Sequence, residues 1–262
     1  GLIMFIPMLV DMFHDGLSWR AFGISGMLSF LFGTAMALAN YTPKPDLGAR
    51  GAFLLTVSSW VALSAFSSIP FLMEPIGLSI TDAFFEATSG ITTTGSTILT
   101  GLDDMPRGVL LWRAILQWIG GIGIIGMFVA VLPFLRVGGM RLFATESSEW
   151  TDKALPRMKT LSRGLLLVYV VFSVVAVLVY WVSGMSLFDA FNHGLTSIAT
   201  GGYSTSDLSM GKFDSDLILL EAALFMAIGG MPFFLFVRPE ILHQQYEYRL
   251  TLHSRLLAVV GR

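Results

Sequence analysis

SITDAFFEATSGITTTG, residues 79–95, lies without a gap over SLFDAFNHGLTSIATGG, residues 186–202, at an offset of 107. Seven of the 17 positions are identical: Ser79/Ser186, Asp82/Asp189, Ala83/Ala190, Phe84/Phe191, Ile91/Ile198, Thr93/Thr200 and Gly95/Gly202. Each copy opens with about 12 residues of helical character, or roughly 18 Å of helix at 1.5 Å per residue. Such a helix is too short to cross a hydrocarbon layer of about 30 Å, which needs about 20 apolar residues. On either side of each copy lies an apolar run that does reach that length. The repeated unit is therefore an outer helix, a short re-entrant loop and an inner helix, and repeats of this kind place a ligand site at their interface.

The rest of the chain agrees. Of its 262 residues, 54% are hydrophobic and 13% charged, against about 25% charged in a soluble domain. Too little polar surface is present to cover a water-soluble globule. Apolar segments at 1–10, 19–40, 49–73, 108–135, 161–182 and 217–237 read as membrane helices; 79–90 and 186–197 are the short pair. Segments 41–50, 136–163 and 238–262 carry 12 Lys/Arg and 6 Asp/Glu, and the remainder carries 4 and 12. By the positive-inside rule the first set is cytoplasmic. The spans alternate only if both short segments enter and leave on the outer face. The formal net charge of −2 and the lack of a basic stripe argue against nucleic acid as a partner; membrane lipid is the expected surround. There is no cysteine, so disulfides and thiolate metal sites are excluded. No Ser/His/Asp set, intramembrane carboxylate pair or phosphate loop suggests an enzyme, and no cofactor is implied.

The chemistry is carried by TTTGST (92–97) and ATGGYS (199–204). Irregular backbone at membrane depth is tolerated only against protein or a water-filled cavity. These strands are rich in glycine and hydroxyls and poor in acid, and an extended strand of this kind can turn successive carbonyls inward to replace the water shell of a cation. Glycine supplies backbone angles closed to other residues and leaves no Cβ in a lumen. Thr93, Thr94 and Gly95 are the first carbonyl-donating set, and Thr200, Gly201 and Gly202 the second. The negative end of each short helix favours a cation there. Asp82, Asp103, Asp104, Asp207, Asp214 and Asp216 would raise the local cation concentration at the outer mouth, or serve only as solvated loop and cap residues. Glu86 on the first short helix and Arg113 on the following helix are candidates for a buried pair bracing the strand, because an unpaired charge there is costly. His193, aligned with Glu86, reads as a packed, hydrogen-bonded residue. IGGIGIIG (119–126) and IGGMP (228–232) offer close helix packing, with a gating hinge as the alternative.

TDAFFEATSGITTTGSTIL (81–99), LQWIGGIGII (116–125), VLPFLRVGGMRLF (131–143) and FDAFNHGLTSIATGGYSTSD (188–207) closely resemble the TrkH branch of the TrkH/KtrB/HKT potassium transporters. The resemblance implies an all-α membrane protein of tandem outer helix–pore loop–inner helix repeats, preceded by an extra helix pair. It divides the chain into a helix pair (1–48), a first pore repeat (49–135), a cytoplasmic loop (136–157), a second pore repeat (158–237), and a cytoplasmic loop leading into a third repeat (238–262). It places the filter glycines on Gly95 and Gly202 and the coordinating backbone on Thr93, Thr94, Thr200 and Gly201. Sodium-preferring relatives carry Ser at the first of these glycines, so Gly95 favours potassium as the transported ion. The resemblance further implies a homodimer in a bacterial inner membrane and a cytoplasmic nucleotide-binding TrkA-type regulatory subunit, with 136–163 and 238–253 as its contacts. Family members have four repeats around one pore, and two are present here. The opening Gly1 inside an apolar run and the apolar start after 254 are therefore expected to be cuts within a longer chain. The competing expectations are a sodium-permeable relative and a non-conducting scaffold derived from a truncated transporter.

Overall fold

A computed structural model describes residues 1–14, 16–41, 49–73, 75–131, 150–233 and 236. Eight α-helices are found among them: α1 (Phe5–Phe13), α2 (Trp19–Ala39), α3 (Ala49–Leu72), α4 (Ile80–Ile91), α5 (Arg107–Val131), α6 (Trp150–Val182), α7 (Leu187–Ile198) and α8 (Asp216–Gly230). Short 3₁₀ turns occupy Leu2–Met4, Leu102–Asp104 and Ser209–Phe213, and no strand occurs among the described residues. The all-helical class expected from the sequence is observed.

Trp19–Ala39, Phe53–Leu72 and Ser162–Val182 are long and apolar enough to cross a membrane. Only 28%, 22% and 28% of these windows are buried within the protein. Leu38 and Val182 are 75% and 82% exposed. Apolar helices with so few of their residues buried are stable where lipid, not water, is the neighbouring solvent.

Each short helix packs between its flanking long ones: α4 against α3 and α5, α7 against α6 and α8. α7 also packs on α5, which joins the two units, and α1 packs on α2 and α5. The contact of α1 with α5 is polar at its end. Asp11 is fully buried; its carboxylate accepts from the Ser18 hydroxyl and, at 2.5 Å, from the Gly108 N–H at the start of α5. A carboxylate at a helix N-terminus satisfies an orphan donor and complements the dipole.

Two boundaries differ appreciably from those read in the sequence. α6 starts at Trp150, inside the stretch 136–157 expected to be loop. Hydropathy reports only the apolar part of a helix, and Ala154, Leu155, Met158 and Lys159 are strong helix formers by intrinsic propensity. α8 is 15 residues long and ends at Gly230, short of the expected 237. Met231 turns extended (φ −76°, ψ 146°), as the residue before Pro232 is pressed to do. α5 runs from Arg107 to Val131; the rest of its expected span, 132–135, lies outside the described residues, as do 136–149 and 238–262.

Candidate functional site

Both short helices begin alike. Ser79 and Ser186 cap them, accepting from Asp82 N–H at 3.2 Å and Asp189 N–H at 3.1 Å, while each hydroxyl donates to the same aspartate's carboxylate at 2.7 Å. These are reciprocal caps built from the identical Ser and Asp of the repeat. The correspondence reaches further back than the aligned motif, since Gly77 and Gly184, also 107 apart, both have positive φ (58° and 111°).

The helix ends are where strand geometry is set. At α4, Thr93 N–H donates to Gly90 O (3.0 Å) and Thr94 N–H to Ser89 O (2.9 Å); at α7, Thr200 N–H donates to Ser197 O (3.0 Å) and Gly201 N–H to Thr196 O (2.9 Å). This is the Schellman arrangement, which calls for a left-handed residue and normally finds glycine there. Here that residue is threonine in both copies, Thr93 at φ 58° and Thr200 at φ 52°. A β-branched residue in that region carries strain of about 1–3 kcal/mol, and such strain gathers at functional sites. The reading of these strands as simply extended is corrected accordingly: each starts with a tight left-handed turn. Gly95 and Gly202 then both sit at φ 81°, the freedom the sequence assigned to them.

Peptide geometry orients the carbonyls. In a trans peptide the N–H and the preceding C=O point opposite ways. With the Thr94 and Gly201 N–H groups turned back onto their short helices, the Thr93 and Thr200 carbonyls point away from them. Gly95 N–H, at 3.4 Å from Ser89 O, turns the Thr94 carbonyl likewise. Tyr203 N–H donates to Gln117 Oε1 at 3.0 Å, so the Gly202 carbonyl points away from the buried Gln117 amide. Thr94, Thr200 and Gly202 are exposed on that open side, and Gly201 is buried. The two strands meet where a Cβ on Gly95 would overlap the Gly201 carbonyl oxygen. All six sequence-predicted residues are thus brought into one place, four of them with carbonyls turned from the framework. An array of oriented carbonyls is chemically a set of hard, neutral donors for an alkali cation.

Behind the strands is a buried polar framework. Glu86 is fully buried and accepts from Arg113 Nε (2.8 Å), Thr97 Oγ1 (2.9 Å) and Ile98 N–H (3.1 Å). The expected Glu86–Arg113 pair therefore forms, and it holds its own strand by the backbone. Arg113 also reaches the second strand: Nη1 donates to Ser204 O at 3.0 Å, and the guanidinium lies 4.1 Å from the centre of the Tyr203 ring. The Tyr203 hydroxyl returns to the first unit, at 2.9 Å from Glu86 O and 3.3 Å from Ser96 O. His193 is buried, as anticipated, with Nε2 3.3 Å from Thr205 Oγ1, which in turn donates to Asp189 at 2.6 Å. Gln117 and Tyr203 were not singled out by sequence reasoning. A glutamine within an apolar helix at a repeat interface was the available signal.

Two more expectations resolve. Gly120 and Gly229, in the two IGG triplets, lie against the ends of the short helices. A Cβ on Gly120 would overlap the Ile91 carbonyl oxygen, and one on Gly229 would stand 2.7 Å from that of Ile198. Close packing is the role observed. Of the outer acids, Asp207 accepts from Gly101 and Leu102 N–H (2.8 and 3.2 Å), and Asp103 accepts from Ser206 Oγ and Asp207 N–H (2.9 and 3.3 Å). Lys212 lies 3.6 Å from Asp103 and 3.7 Å from Asp189. These carboxylates fasten the two outer loops to each other. The Asp103 carboxyl is held below the ordinary carboxylate range, chiefly by the Ser206 hydroxyl and then by the Asp207 N–H and Lys212, against some opposing desolvation.

Residues 19–250 match the family model described as TrkH, cation transport protein. A Trk system potassium uptake protein TrkI from Halomonas elongata is 43% identical over 239 residues, 91% of this chain and 49% of that protein. The Trk system potassium uptake protein TrkH of Escherichia coli K12 is 41% identical over 230 residues, 87% of this chain and 48% of that protein. The crystal structure of the potassium transporter TrkH from Vibrio parahaemolyticus superposes with a TM-score of 0.78 at 35% identity, covering 90% of this chain and 47% of that one. The chain spans about half the length of the curated relatives it matches. These relatives are named potassium uptake proteins or a potassium transporter, and this chain carries three helices long and apolar enough to cross a membrane among its described residues.

Proposed function

The chain belongs to the TrkH family of cation transport proteins, and we propose that it supplies two of the four sides of a potassium-selective pore in a bacterial inner membrane. The observation that carries this reading is the paired strand geometry: left-handed Thr93/Thr200 and Gly95/Gly202, repeated at one offset, with carbonyls turned from the short helices. Residues 49–135 form the first pore repeat and 158–237 the second, behind the helix pair of 1–48; 238–262 leads toward a third. The remaining sides come from further sequence of the same kind.

Potassium sheds water as it meets the carbonyls of Thr93, Thr94, Gly95, Thr200, Gly201 and Gly202, which replace its hydration shell. An inside-negative potential drives uptake with about 2.3 kcal/mol per charge per 100 mV. Thr93, strained at its left-handed angle, and Gly95, which takes positive φ freely, shape the first strand, and Glu86, Arg113 and Gln117 are its framework. Assembly as a homodimer, and regulation by a cytoplasmic TrkA-type nucleotide-binding subunit, extend the proposal; 136–163 and 238–253 are the segments that would meet that subunit.

The test is Gly95→Ser in the intact transporter, read as sodium competition against rubidium uptake in cells lacking other potassium uptake. A Ser Cβ must displace the Gly201 carbonyl, so sodium is expected to compete more strongly than in the parent. Sodium competition equal to the parent's sinks the reading of Gly95. An intact parent that already admits sodium as well as rubidium identifies a sodium-permeable relative instead.

A further inference from the structure

Gln117 stands four residues after Arg113 on α5, one turn further along the same face. It is completely buried, yet its amide is not used by its own unit. Oε1 accepts the Tyr203 N–H of the second strand at 3.0 Å. That bond fixes which end of the amide is oxygen. Nε2 therefore faces the other way, and it has no hydrogen-bond partner among the described residues. Its position is given by the glycines: a Cβ on Gly201 would stand 2.6 Å from Nε2, and one on Gly95 would stand 3.6 Å from it. The amide donor is thus lodged between the two strands, beside the point where the Gly201 carbonyl meets Gly95.

This placement explains an asymmetry of the repeat. Thr94 and Gly201 are aligned, but only the first has a side chain. At Gly201 the space a side chain would fill is taken by the Gln117 amide. The arrangement occurs once among the described residues. With the IGG of 119–121 laid on the IGG of 228–230, the position matching Gln117 on α8 is Met226. An apolar residue of similar length suffices there, so helix packing alone does not call for a buried amide with one end unpaired, which is unfavourable by itself.

We propose that Gln117 is a specificity-determining positioning residue: by binding the Tyr203 N–H it holds the Gly202 carbonyl at its station in the filter, and by wedging between the strands it keeps them from closing on an ion smaller than potassium. The inference rests on the potassium-pore reading and names what sets selectivity at the junction of the first two units. Gln117 touches no ion; it acts through the backbone of Gly201, Gly202 and Tyr203.

The experiment compares Gln117→Met and Gln117→Glu with the parent in the intact transporter, measuring rubidium uptake alone and the sodium concentration that halves it. Met keeps the length and loses both polar ends, whereas Glu keeps an acceptor for the Tyr203 N–H. Gln117→Met is expected to take up rubidium with a rubidium-over-sodium preference lower by roughly tenfold, the factor that about 1.4 kcal/mol gives, which is the size of one hydrogen bond. Gln117→Glu is expected to keep more of the preference than Met. A Met variant with the parental preference overturns the proposal, as does a Glu variant that loses as much as Met. If the Met variant fails to accumulate in the membrane, Gln117→Asn, one methylene too short to reach Tyr203, is read by the same criterion. A parent that takes up no rubidium at all fails the pore reading itself, an outcome distinct from a selective parent whose selectivity ignores residue 117.

Discussion

Replacing Arg113 with Met removes the cation from the buried framework and keeps most of the side-chain volume. Glu86 then remains fully buried with only the Thr97 hydroxyl and the Ile98 N–H on its carboxylate, and Ser204 O and the Tyr203 ring lose their contact with the guanidinium. Stranding one member of a buried ion pair costs about 3–5 kcal/mol. The factor of about 2–4 °C per kcal/mol for 150–250 residues falls to about 1–2 °C for a protein roughly twice this chain's length, so the intact transporter should lose roughly 3–10 °C in apparent Tm, measured in detergent by loss of the size-exclusion peak at one heating rate. The ion pair also predicts how the loss combines. Glu86→Gln strands Arg113 in turn, but Glu86→Gln/Arg113→Met contains neither charge, so its loss should be clearly smaller than the sum of the two single losses. Simple additivity, or an Arg113→Met protein within 1 °C of the parent (about 1 kcal/mol or less), would refute the reasoning, because either result means that the two charges do not depend on each other.

Gly120→Ala should displace α5 from the end of α4, because the new Cβ overlaps the Ile91 carbonyl oxygen and lies 3.2 Å from the Thr93 methyl. Rubidium uptake and apparent Tm should both fall, while Gly230→Ala, which meets nothing within 4 Å, should stay within about 0.5 kcal/mol of the parent; equal effects would remove the close-packing role. The Asp103 link between the outer loops should be acid-labile. A carboxyl held low in the folded state contributes stability that is fully present above its ordinary pKa of about 3.9 and is lost as pH falls through the lowered value. Hydrogen exchange of peptides covering 99–105 and 204–208, corrected for intrinsic rates, should therefore show constant protection from neutral pH down to that range and a decline below it. Asp103→Asn should already be less protected at neutral pH, and unchanged protection there would show that the carboxylate is not what fastens the loops.

Much of this was legible because period, length and repetition survive in one dimension. The short helices, their Ser caps and the glycines at 95 and 202 all come from a motif that occurs twice, and the Glu86–Arg113 pair follows from the expense of charge at that depth. What was hidden depended on three-dimensional closeness across the repeat. Nothing in TTTG says that the left-handed residue ending the helix is Thr93, since that motif normally takes glycine. The strained threonine is intelligible only once its methyl is seen against Gly120, and that of Thr200 against Gly229. Asp103 and Asp207 look like free acids in the sequence, because their partners lie more than a hundred residues away. The polar start of α6 and the stop of α8 at Gly230 were missed for a simpler reason: apolar length measures the membrane's demand, and helices begin and end for local reasons of their own.

The framework also breaks the equivalence that the repeat suggests. Glu86 and His193 occupy matching positions, and each braces the strand of its own unit at matching places: Glu86 holds the Ile98 N–H, and His193 meets the hydroxyl of Thr205, the residue aligned with Ile98. The chemistry differs because the helix beside each differs. α5 offers Arg113 to the carboxylate, whereas laying the IGG triplets together puts Ala222 at the corresponding place on α8. A glutamate at 193 would find no arginine at that place on α8, and a buried carboxylate without a direct partner is among the most unfavourable groups a protein can hold. The imidazole is bound instead through Thr205 to Asp189, whose carboxylate is shared with Ser186 and Lys212. The first and second units are therefore joined by charge and amide contacts that run from α5 into the second strand, and α8 carries neither Arg nor Gln to make the same joint again. On the proposal made for Gln117, selectivity is set at such junctions, and the junction between these two units belongs to α5.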